Sequence, residues 1–172
     1  MGTAELKNTT FLIDFGIAKQ YHHPSSCIHI PMKESYQLIG MPAFTSINSH
    51  LGCELSQRDD IEALAYTLMF LYSGSLPWLG QGSHHLSGQS IQLSKVSLGT
   101  GCPPGMPMEL FNFLSYTQSL SFTQKPDYDH LRSILLSATS SLTMVKETQA
   151  LSAAQVPSVD SDNGTVHNTP QM

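Results

Sequence analysis

Apolar residues recur at helical steps most plainly between Ser56 and Gly74, where Ile61, Leu64, Ala65, Leu68, Met69, Leu71 and Tyr72 follow three- and four-residue spacings. Ser56, with Asp59 three residues on, reads as an N-terminal cap, and Gly74 suits the left-handed residue after a last turn. Apolar groups cover so much of its circumference that this helix is expected to be buried. It nevertheless opens with Arg58, Asp59, Asp60 and Glu62, charges that need partners. Phe11-Leu12-Ile13 is a short apolar run that predicts a buried strand delivering Asp14-Phe15-Gly16 at its end. From Lys19 to Thr45 no period holds and prolines stand at 24, 31 and 42, so a long loop is expected. Ser46 to Leu51 predicts a short helix ending at Gly52, and residues 90–98 another. Pro107 opens a helix to about Leu120 with Leu110, Phe111, Phe113 and Leu114 inward. Asp127 caps a last helix carrying Tyr128, Leu131, Ile134 and Leu135. Beyond Ser137 the sequence turns rich in Ser, Thr, Asn and Gln, which predicts a disordered tail over residues 138–172.

Composition narrows the classes. With 172 residues, 40% of them hydrophobic, the chain can bury one core. Its net charge of −5 argues against nucleic acid and anionic membranes as partners. The longest apolar run, Ala63 to Tyr72, is too short to span a bilayer, and no charged segment followed by an apolar one marks a signal peptide. Cys27, Cys53 and Cys102 are widely spaced and odd in number, as expected of reduced thiols in a cytoplasmic or nuclear protein. The pairs His22-His23 and His84-His85 lie in loop-like sequence without nearby thiols or carboxylates, so solvated histidines are preferred over metal ligands. A carboxylate after a buried strand and before a glycine, as at Asp14, is one way to hold a divalent cation.

Taken in order, these pieces resemble the C-terminal lobe of a protein kinase, specifically of the casein kinase 1 family. Leu12 to Lys19 (LIDFGIAK) resembles the magnesium-binding segment, and His29-Ile30-Pro31 resembles part of the activation loop. Ser46-Ile47-Asn48 stands where most kinases have Ala-Pro-Glu and is the mark of casein kinase 1. Arg58-Asp59-Asp60, Ser75-Leu76-Pro77-Trp78, and Pro126-Asp127-Tyr128 with Leu131-Arg132 complete the match over residues 1–137. The resemblance implies a mainly α fold: a kinase C-lobe fragment with a short N-terminal strand, an activation loop, a buried central helix and three or four further helices. It also implies Mg and ATP as cofactors, a protein substrate or partner, Asp14 as cation ligand, and Phe15, Gly16, Lys19, Ser46, Asn48, Asp60 and Arg132 as structural residues of the activation segment and its supports.

In the family, a glycine-rich loop, a strand lysine and a His-Arg-Asp loop grip the nucleotide and orient the substrate hydroxyl. None of these occurs in this sequence, and Met1-Gly2 resembles the internal Met-Gly just after the catalytic loop, so the catalytic base is expected upstream of this chain. Asp60 matches the aspartate that braces the catalytic loop; without that loop, a local cap on the helix amides is the preferred reading. Gly40-Met41-Pro42-Ala43-Phe44 replaces the family's Gly-Thr-Ala-Arg-Tyr, which removes an arginine of the acidic substrate site, and Gly82 replaces a second basic residue of that site. The expected function is a casein kinase 1-like fragment unable to transfer phosphate by itself, with Mg and ATP not bound by this chain alone. Part of a full-length Ser/Thr kinase is the first alternative, and a non-catalytic scaffold or binding module is the second.

Overall fold

The computed structural model describes residues 9–34, 37–79 and 87–154, with side chains to residue 141. Among these residues the fold is mainly helical: α1 (Ile47–His50), α2 (Gln57–Ser73), α3 (Gly88–Leu98), α4 (Met108–Ser119) and α5 (Tyr128–Ala154). The packing centres on α2, which lies against α4, while α4 in turn carries α5 and the short α1 sits on α3 and α2.

Helix α2 begins and ends where its sequence signals lie. The Ser56 amide donates to Asp59 Oδ2 at 2.8 Å, the carboxylate half of a capping box. At the other end Gly74 takes φ 74° and its amide closes on the Phe70 carbonyl, a left-handed stop that suits glycine. Burial of α2 is one-sided, not complete as expected. Ile61, Ala65, Tyr66 and Met69 enter the core, whereas Leu64 and Tyr72 are exposed and Leu71 is 73% exposed. The buried face meets Leu110, Phe113 and Leu114 of α4, and Leu131 of α5 closes the same core. Trp78, the single tryptophan of the chain, is buried and donates through Nε1 to the Ala43 carbonyl at 2.8 Å. That bond fastens the long N-terminal segment onto the helical body.

Two further expectations fail at the ends of the described chain. Phe11-Leu12-Ile13 forms no strand, and Leu12 and Ile13 are 83% and 78% exposed. A strand needs a neighbouring ladder, and none lies beside these residues among those described. The last helix also outruns its expected end at Ser137 and continues to Ala154. Its polar residues serve it from within: the Ser137, Thr139, Ser140 and Ser141 hydroxyls donate to carbonyls three or four residues back. Ala138 is buried, and Ser141 also donates to Glu109 Oε1 of α4 at 2.8 Å, so the helix docks beyond its apolar start. Of the expected tail, residues 155–172 lie outside the described residues, as do Gly82 and His84-His85.

The segment without periodicity is ordered where it is described. Residues 21–30 close into a tight antiparallel turn through His23–Ile28 and Ile30–Tyr21 backbone bonds of 2.8 Å each. His22 is not a solvated loop residue; it is half-buried among Tyr21 and His29, with His29 edge-on to Phe122 at 4.7 Å. His23 stays exposed.

Candidate functional site

Asp14 lies in the exposed N-terminal segment in a left-handed conformation, φ 62°. Its Oδ1 accepts from the Gly16 amide at 3.1 Å, a local turn held by the carboxylate itself. Phe15 beside it is exposed. Lys19 reaches the buried Glu54 at 2.7 Å, which ties the segment to the loop ahead of α2. Among the described residues no three His, Cys, Asp or Glu side chains come together around a cation site. One carboxylate already turned onto its own backbone does not fit a magnesium ion, which demands a near-octahedral set of oxygens. Asp14 as placed here therefore does not make the magnesium site that the kinase resemblance implies.

The best-ordered polar chemistry lies where α1 meets α2. Ser46 is the N-cap of α1, its Oγ accepting from the Ser49 amide at 3.2 Å. Asn48 donates through Nδ2 to Asp59 Oδ1 at 2.8 Å, so Asp59 holds its own helix start with one oxygen and α1 with the other. Glu62, one turn on, accepts from the Ile47 amide at 3.1 Å and from the Tyr66 hydroxyl at 2.7 Å. Burial raises the Glu62 carboxyl above its usual range, and the hydrogen bonds from Tyr66 and Ile47 oppose that rise. Burial, with the Glu62 charge adding to it, pushes the Tyr66 phenol up.

Asp60 does not play the local capping part expected of it. Its side chain is exposed and makes no hydrogen bond or ion pair among the described residues; the capping belongs to Asp59. Partial desolvation, with the Asp59 charge beside it, raises the Asp60 carboxyl. Arg58 turns the other way, donating to the Leu120 carbonyl at 2.9 Å. Arg132 forms an exposed pair with Asp129 at 2.7 Å and makes no other hydrogen bond or ion pair among the described residues.

Sequence reasoning missed Lys95. This residue of α3 is 0% exposed, and its ammonium donates to the Pro42 carbonyl at 2.8 Å and to the Thr45 carbonyl. It lies over the faces of Tyr66 and Trp78, 4.7 and 5.5 Å from the ring centroids. Burial lowers its pKa to about 8, with the Glu62 charge working against the drop. Nothing in a single lysine between Ser94 and Val96 marks it from the sequence; the signal is the inward face it shares with Ile91 and Leu98. Ala43, where the resemblance puts an arginine of the substrate site, is buried in the core beside it.

Among the described residues no helix is long and apolar enough to cross a membrane. No protein-family model matches the chain.

Proposed function

We propose that these residues form a casein kinase 1-like C-terminal lobe that transfers no phosphate by itself. One observation carries the reading: Asp60 stands exposed at the head of α2 without a hydrogen bond or ion pair among the described residues, while Asp59 and Asn48 already meet the local needs of that helix end. A carboxylate so placed is spare for backbone amides that the described residues do not supply. The poor fit of Asp14 to a magnesium ion supports the same reading, as does the absence of a glycine-rich loop, nucleotide lysine and His-Arg-Asp from the sequence. With Mg and ATP, the protein is expected to incorporate no phosphate into a casein-like substrate and to gain no thermal stability. Turnover that Asp14→Ala abolishes would overturn the proposal.

A second reading, a full Ser/Thr kinase of which this lobe is a part, is favoured by the exposed Phe11, Leu12, Ile13, Phe15 and Ile17. Apolar residues in a row at a surface fit burial under further polypeptide. An in-frame glycine-rich loop, strand lysine and His-Arg-Asp in the genomic sequence ahead of Met1 would favour it over the first.

A further inference from the structure

The Nε2 atom of His50 has two partners that it cannot serve at once. It lies 3.1 Å from the Pro42 carbonyl oxygen, which requires an N–H, and 3.2 Å from Lys95 Nζ, which requires a lone pair. Lys95 Nζ itself reaches that same Pro42 oxygen at 2.8 Å. The three atoms therefore form a triangle in which the state of one imidazole nitrogen decides the bonding. We propose that His50 and Lys95 form a proton-sensitive latch that fastens residues 42–50 to α3, and that protonating His50 opens it.

With neutral imidazole, Nε2 accepts from the ammonium, and Lys95 bridges Pro42, Thr45 and His50. Protonation removes that acceptor and sets a second positive charge 3.2 Å from the first, at the half-buried edge where His50 meets the buried Lys95. The groups facing the pair are few. From α2 come Glu62, whose charge favours the ammonium, and the Tyr66 phenol; α3 contributes Lys95 itself; and the 42–45 segment offers the Pro42 and Thr45 carbonyls. No carboxylate is in hydrogen-bond or ion-pair contact with His50 among the described residues. Burial first and the Lys95 charge second accordingly hold His50 below its ordinary value of 6.5.

The sign follows. A histidine whose folded pKa is depressed adds nothing above 6.5 and loses the native state stability as pH falls below it, because the unfolded chain takes the proton first. Glu62 and Asp60, raised by burial, have the opposite slope at lower pH, but a His50 variant keeps them and cancels them by comparison.

Trp78 is the natural reporter, since its indole N–H holds Ala43 inside the fastened segment. Fluorescence of the full chain is measured from about pH 8 to about pH 5. In the wild type, emission is expected to shift to the red as His50 titrates; in His50→Gln, which keeps an acceptor for Lys95 and does not titrate, the shift is expected to vanish. The His50 ring is followed by NMR in the same wild-type sample, where its midpoint is expected below 6.5 and coincident with the Trp78 transition. A red shift unchanged in His50→Gln, or a ring midpoint at or above 6.5, overturns the latch. Lys95→Met is expected to raise the ring midpoint, and no change in it would also overturn the proposal; the wild-type and His50→Gln arms stand without that variant should it not fold.

Discussion

Asp59 and Asp60 share a side chain and a helix turn and differ in everything that gives a carboxylate its worth. Asp59 is buried and accepts from the Ser56 amide and the Asn48 side chain at 2.8 Å each. Asp60 is exposed, and partial desolvation disfavours its charge. Asp59→Ala leaves both donors without an acceptor, and urea denaturation is expected to show a loss of about 2 kcal/mol. Asp60→Asn, by the same measurement, is expected to stay within about 0.5 kcal/mol of the wild type. The capping part of Asp59 was legible, because a serine three residues before an acid at a helix start has few other meanings. The idleness of Asp60 was not, because it depends on which amides come near it in space.

The helices divide into faces that matter and faces that do not. Leu114 of α4 is fully buried against α2, so Leu114→Ala is expected to cost about 3 kcal/mol in urea unfolding, whereas Leu71→Ser on the exposed face of α2 is expected to leave the midpoint unchanged. Ala138, buried past the expected end of α5, supplies the test of the extension. Ala138→Glu is expected to lower the thermal midpoint and reduce helical circular dichroism, since α5 would lose its seat at that turn. Periodicity located α2, α4 and the start of α5 because their core faces are written in Leu, Ile, Phe and Met. It failed on α5 past Ser137, where the hydroxyls of Ser140 and Ser141 satisfy their own helix and so do not show as an apolar stripe. It failed too on Phe11-Leu12-Ile13, where an apolar run announces burial but cannot supply the neighbour that would bury it.

At the scale of the molecule, a small core carries a long N-terminal segment that seats Ala43 and Phe44 in it and is fastened by a handful of polar ties. Trp78 to Ala43, Lys95 to Pro42 and Thr45, and Lys19 to Glu54 are the main ones. Lys95 makes the attachment sensitive at alkaline pH as well. Its folded pKa of about 8 lies below the ordinary 10.5, so the buried charge is a cost that deprotonation removes. Stability is expected to rise between those two values by about 3 kcal/mol, less what tyrosine ionisation subtracts, and the rise should be missing from Lys95→Met in urea titrations at stepped pH. These ties join residues some 35 to 53 positions apart, which is why a linear reading found the helices and missed the lysine that fastens the segment to them.

Gly74 shows how little of a position's tolerance is visible as room. The space around its α-carbon is open, with nothing within 4 Å of where a β-carbon would sit, yet its φ of 74° belongs to the left-handed region. A survey of clashes would pass any amino acid there, while the torsion would accept a D-alanine and resist its L-enantiomer. The end of the central helix thus discriminates chirality without touching the atoms that carry it.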